Sequence, residues 1–187
     1  MSEEGTTKKA ESTVVADSKM EQKLPKLSAQ DFRVYNRMAE HMDMFHNSFR
    51  QTWDMLHRAC SSGRRPSGMS IRQFLAAGDQ FAHHLTVHHG IEEQHIFPIL
   101  AKKMPCFLPD QELLTQHKGI HEGLDRFEAY LRDCKTGERE LRMEEMKEIM
   151  DSFGTVLWQH LDDEVKALGA NNMRLYWTKG EMASLPI

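Results

Sequence analysis

The sequence predicts an all-α fold, an antiparallel up-down-up-down four-helix bundle. Apolar residues recur at spacings of three and four along four stretches, no β-type alternation of useful length interrupts them, and the connections are short. Ser28, with Asp31 three residues on, opens the first helix as a capping box, and its stripe runs Phe32, Tyr35, Met38, Met42, Phe45, Phe49, Trp53 and Leu56. The run SSGRRPSG at 61–68 ends it, because Gly, Pro and Ser favour turns. Ser70 caps the second helix, whose stripe of Ile71, Phe74, Leu75, Gly78, Phe81 and Leu85 continues into His88 and Glu92. Pro98 predicts a kink or stop just beyond. Leu113, Leu114, Ile120, Leu124, Phe127 and Leu131 define the third helix, with His117 and His121 on the same side and Gly137 at its end. The fourth carries Met146, Ile149, Met150, Phe153, Leu157, Leu161 and Leu168, with His160 and Glu164 on that face and Gly169 closing it.

A length of 187 residues with 40% hydrophobic composition suits one domain with a real core. Residues 1–27 read as a disordered, solvated tail, 28–169 as the bundle, and 170–187, with Tyr176 and Trp177, as a short helix or arm lying across it. A net charge of −4 speaks against nucleic acid, which needs clustered Lys and Arg. No apolar run is long enough for a signal peptide or a membrane span, so no membrane partner is expected. Cys60, Cys106 and Cys134 form no CxxC pair, and reduced thiols in a cytoplasmic protein are the simple expectation.

The stretch HHLTVHHGIEEQHIFP at 83–98 concentrates histidines beside glutamates. His88 with Glu92, His117 with His121, and His160 with Glu164 are each spaced i, i+4, which stacks two side chains on one helix face, one turn apart. Imidazole suits Fe, Zn, Cu or Ni, and a carboxylate can bridge two ions. A single histidine on an apolar stripe is usually a satisfied core or boundary residue, but three such pairs on three core stripes point to a metal site. The first helix offers His41 or His46 on opposite flanks of its apolar face, with His46 nearer the centre. His84 and His95 share the second helix's stripe and could support or substitute for a ligand, whereas His57, His83 and His89 are expected at solvent or a helix boundary. The methionines Met38, Met42, Met146 and Met150 read as core filling.

FHNSFR around His46, HHGIEEQHIFP with His88, HKGIH from His117 and HLDDE from His160 together resemble the hemerythrin-like, or HHE cation-binding, family over roughly residues 30–168. The resemblance implies two iron ions inside the bundle with a bridging oxo or hydroxo group. Carried over, His117, His121 and His160 hold one iron, His46 and His88 the other, and Glu92 and Glu164 bridge them. The second iron is then one ligand short, where dioxygen could bind. Phe45, Phe49, Trp53, Phe81, Leu85, Leu124 and Leu157 are expected to keep the centre dry. The oxygen-carrying branch places an Asp five residues after the fourth-helix His; here that position is Val165 and the carboxylate is Glu164. That arrangement is similar to the HHE-type branch, associated with oxygen, iron or redox sensing and with nitric oxide or peroxide chemistry.

The resulting expectation is a di-iron protein that binds dioxygen or senses oxygen or iron, the alternative being a di-iron enzyme acting on dioxygen, peroxide or nitric oxide. A ferritin-like carboxylate site needs two Glu-x-x-His motifs, and only Glu92-x-x-His95 is present. A mononuclear zinc site on His117 and His121, or a metal-free scaffold, leaves Glu92 and Glu164 without a partner.

Overall fold

The computed structural model describes residues 24 to 186. The tail expected at 1–27 lies almost wholly outside the described residues. Among the described residues all regular structure is helical. Four long helices dominate: α1 (Ala29–Ser62), α2 (Ile71–Ile91), α4 (Glu112–Thr136) and α5 (Met143–Ala167), with short pieces α3 (Phe97–Leu100), α6 (Ala170–Tyr176) and α7 (Lys179–Met182). Around the bundle α1 packs on α2 and α5, and α4 packs on the same two.

The boundaries follow local chemistry. Ser28 accepts a hydrogen bond from the Asp31 amide, and Ser70 forms a reciprocal capping box with Gln73. Gly63 at φ 65° and Gly137 at φ 80° end α1 and α4 in the left-handed region that glycine tolerates. Gly169 does something different from the closing role expected of it: at φ −66° it is the N-cap of α6. Pro98 neither stops nor sharply ends α2. Instead the chain widens into a π-helical turn, Glu92–Ile96, closed by the Phe97 amide on the Glu92 carbonyl, and runs on into α3. Proline has no amide proton and its ring crowds the carbonyl four residues back, so a local widening is the least costly way to continue the helix.

Two apolar cores form, separated by a polar layer. The first gathers Phe49, Trp53 and Leu56 of α1, Phe74, Phe81 and Leu85 of α2, Ile120, Leu124 and Phe127 of α4, and Phe153, Leu157 and Leu161 of α5. The second gathers Met38 and Met42 of α1, Phe97 and Leu100 of α3, Leu113 of α4, Leu168, and the C-terminal Met173, Trp177, Met182 and Leu185. The C-terminal arm is therefore part of the core. Arg37 donates to the Met182 carbonyl at 2.6 Å, and Trp177 Nε1 lies 3.1 Å from the Met104 sulfur. Phe32, Phe45 and Ile71, expected on buried stripes, are instead exposed, because α1 and α2 each turn one flank of the stripe outward.

Close helix packing depends on glycine where α4 meets α5. A Cβ at Gly123 would sit 2.4 Å from the Phe153 Cβ and Cγ, atoms too near the backbone to swing away. Gly123→Ala should therefore destabilise the protein by about 1–3 kcal/mol despite alanine's better helix propensity. A urea titration of the variant against the parent measures this, and an unchanged midpoint would mean that the two helices can part freely.

Candidate metal centre

Between the two cores every helix of the bundle contributes an ionisable side chain to one buried layer. His46, His89, Glu92, His117, His160 and Glu164 are all buried, and His88 is nearly so. Their ligand atoms fall into two groups, His89, Glu92, His117 and His160 in one and His46, His88, Glu92 and Glu164 in the other, with the atoms of each group within 4.8 Å of one another. Glu92 belongs to both. Its Oε1 is 2.8 Å from His88 Nε2 and its Oε2 3.4 Å from His117 Nε2. Glu164 Oε2 likewise lies 3.3 Å from His46 Nε2 and 3.7 Å from His160 Nε2.

The outer nitrogens are anchored so that the inner ones point into the layer. His46 Nδ1 donates to the Leu161 carbonyl at 3.0 Å, His117 Nδ1 to Glu93 Oε1 at 2.7 Å, and His160 Nδ1 to Gln116 Oε1 at 3.3 Å. The Gln116 amide is itself oriented by donating to Asp163 Oδ2 at 2.9 Å. With Nδ1 carrying the proton, each Nε2 presents a lone pair inward, the tautomer a metal requires. The inner nitrogens of His117 and His160 then face each other at 3.2 Å without a proton to share, and those of His46 and His88 stand 3.3 Å apart. Two nitrogens each about 2.1 Å from one ion stand roughly 3.0–3.4 Å apart at octahedral to tetrahedral angles, so these separations suit shared cations.

Six buried atoms reinforce the point. Both ring nitrogens of His89 and all four carboxylate oxygens of Glu92 and Glu164 lack a hydrogen-bond partner of acceptable geometry, even where a histidine nitrogen is close. A buried carboxylate left so is expensive unless a cation meets it. The donor set fits cations met by both imidazoles and carboxylates, and burial shifts several of these groups from their ordinary values. Burial pushes the His160 imidazole down to about 3 and holds His88 and His89 below the ordinary histidine range, the adjacent imidazoles adding to the effect at His89. Burial, then the neighbouring Glu164 carboxylate, lifts Glu92 well above the ordinary glutamate value. Glu164 pays the same desolvation cost, but contact with His46 and the positive fields of His160, His46 and His88 outweigh it and keep its carboxyl low.

Of the residues expected from sequence, His46, His88, Glu92, His117, His160 and Glu164 converge in these groups, and His121 does not. His121 is half-exposed and meets the cluster only edge-on, its ring centroid 5.3 Å from that of His89. His89 stands in the layer instead, stacked on His117 at 4.0 Å, which corrects its expected place at solvent or a boundary. His84 and His95 are exposed and lie outside both groups. His41 lies beside Phe45 outside the groups, whereas His46 is fully buried. The signal for His89 was present: HHGIEE repeats its pair four residues on, His88 with Glu92 and His89 with Glu93, so two adjacent stripes of α2 carry ligand chemistry.

The family model of the Hemerythrin HHE cation binding domain matches residues 37–170, and the chain belongs to that family. Among curated proteins it is similar to "Dimeric xanthone biosynthesis cluster protein R11" of Cryptosporiopsis sp. (strain 8999), 29% identical over 105 residues, which cover 52% of this chain and 38% of that protein. The chain thus spans well under half the length of that relative. No solved structure matches it significantly.

Glu93 and Gln116 touch no shared ligand point, yet they set the ring orientation of His117 and His160. Glu93→Gln should weaken metal binding about 10–100-fold, with Gln116→Ala acting in the same direction, as measured by competition against a chelator of known affinity. An unaltered affinity in both would show that packing alone orients the rings.

Acid should destabilise the metal-free chain. A histidine whose folded value is depressed from 6.5, as His160 is, contributes stability that is full above 6.5 and lost as pH falls toward about 3. Raised Glu92 acts oppositely, its contribution being present below 4.5 and lost as pH rises through its folded value. The depressed histidines and the low Glu164 carboxyl act in one direction and outnumber the raised Glu92, so the urea midpoint of chelator-treated protein should drop as pH falls from 6.5 toward 4. A level profile over that window would mean that the layer is hydrated without metal.

Proposed function

We propose that this protein is a non-haem di-iron protein, in which an antiparallel four-helix bundle holds a carboxylate-bridged metal pair that binds dioxygen or senses oxygen or iron. The alternate order in which α1, α2, α4 and α5 cross the two cores supports the up-down arrangement. The observation that carries the functional reading is the position of Glu92, fully buried, without a hydrogen bond of acceptable geometry and common to both ligand groups. Glu164 spans the same gap from the opposite helix. Two bridging carboxylates offset part of the charge of two divalent ions, and the imidazoles supply neutral donors suited to iron. When bound, a ferrous pair supplies electrons to dioxygen or a related diatomic or peroxide ligand.

The chain's own residues divide the work. His89, His117 and His160 seal one side, and Phe97 stacks on His117 at 5.3 Å to keep water from it. His46 and His88 hold the other side, where His88 is the one partly exposed member. That opening favours a second reading, an enzyme acting on dioxygen, peroxide or nitric oxide. The relative named for a biosynthetic cluster is compatible with it.

Anaerobic titration with ferrous iron should load about two ions per chain, and air should then raise a near-ultraviolet charge-transfer band from an oxo-bridged ferric pair. A plateau at one ion would remove the di-iron reading. His89→Ala should reduce the load to about one tightly held ion, while His121→Ala keeps both. The reverse result returns His121 to the ligand set in place of His89.

A further inference from the structure

Beside His88 and Glu92 lies a cavity of about 600 Å³, between α1 and α2. It is far larger than a diatomic molecule needs and falls within the range of organic-ligand sites, about 300–1,000 Å³. Phe45, Phe49, Val87 and Ile91 form its walls. Three of these large apolar side chains are unusually exposed, Phe45 at 43%, Val87 at 46% and Ile91 at 48%, so that among the described residues the wall faces solvent. Glu92 lines the inner end, fully buried and unpartnered, and His88 stands beside it with the rings of Phe45 and Phe49 at 5.7 and 5.1 Å. A larger hollow of about 830 Å³ near Leu24 and Arg174 has no buried polar side chain in its lining.

The lining also states what kind of molecule fits. It contains no Lys or Arg, and Glu92 is its one carboxylate; the remaining polar groups, among them His41 and His84, are imidazoles and a serine hydroxyl. A phosphate or carboxylate finds no fixed cation there. An ammonium ion meets a negative group only at the innermost point, where the histidines already compete for it. Aromatic edges and branched aliphatic chains favour a flat, uncharged ring system, and the imidazoles at the mouth can accept from or donate to a hydroxyl.

We propose that this cavity binds a neutral, ring-bearing organic molecule of one to three rings, such as a phenol, with one edge presented to the His46 and His88 side of the centre. Binding itself depends only on the cavity; its role as substrate rests on the metal-centre reading above. On the other side His89, His117 and His160 are all buried. The two halves of the layer therefore differ in purpose, one holding and the other meeting the guest.

The test uses 2-naphthol as probe and the full chain, both metal-free and loaded with manganese(II). Calorimetry should give one site per chain in both states. Val87→Trp and Ile91→Trp, which fill the cavity from its wall, should each weaken binding at least about tenfold, while Ile71→Trp, an equally exposed change at the far end of α2, leaves it unchanged. Circular dichroism and metal stoichiometry check that each variant is folded. In the manganese-loaded protein the naphthol ring protons should broaden, because the guest lies beside the centre. No binding, equal binding by Val87→Trp, or binding without broadening in manganese-loaded protein overturns the proposal. So does a dimer in sedimentation velocity that Val87→Trp dissolves, since the wall then belongs to a second copy of the chain. Naphthol binding with no metal uptake would leave the cavity assigned and sink the metal reading instead; metal uptake with no naphthol binding does the converse.

Discussion

A layer of imidazoles and carboxylates laid across the middle of a dry helical interior governs the rest of this molecule. Transferring such groups from water costs several kcal/mol each unless something meets them. The chain meets the outward half of that demand itself. The Nδ1 protons of His46, His117 and His160 go to a backbone carbonyl, to Glu93 and to Gln116. It leaves the inward half open, with the oxygens of Glu92 and Glu164 and both nitrogens of His89 unpaired. A cation bound at the shared points would remove the larger part of that penalty and so couple metal binding to folding.

The apolar cores on either side act on the chemistry as well as on stability. By excluding water they depress His160 and raise Glu92. The same packing fixes ring orientation. Gly123 and Gly154 let Phe153 and Trp53 pack closely within the first core, Phe49 lies against His46 and His88, and Phe97 covers His117 from the second. The C-terminal arm completes that second core through Trp177, Met182 and Leu185.

The π-helical turn after α2 belongs to the same design. A helix that must offer His88, His89, Glu92 and Glu93 to two different neighbours needs a wide ligand face at its end. The turn begins at Glu92, the residue common to both groups. Its consequence is asymmetry. One side of the layer is enclosed by buried rings, while the other adjoins an apolar hollow through His88. Family membership does not specify this hollow, whose outer wall is made by the exposed Phe45, Val87 and Ile91.

Much of this was legible in the chain as written. Helical period, caps and breakers located the four long helices, since those signals act within a few residues of one another. The i, i+4 pairs named most of the polar layer for the same reason, because spacing along one helix decides which side chains share a face. Other features depended on how helices rotate against one another, which local spacing does not encode. His121 and His89 each lie on a ligand-bearing face of their own helix, and only the roll of α2 and α4 against their neighbours turned His89 inward and left His121 at the edge. Phe45 looked like core from its period and became the wall of a cavity, because the gap between α1 and α2 is a property of the pair.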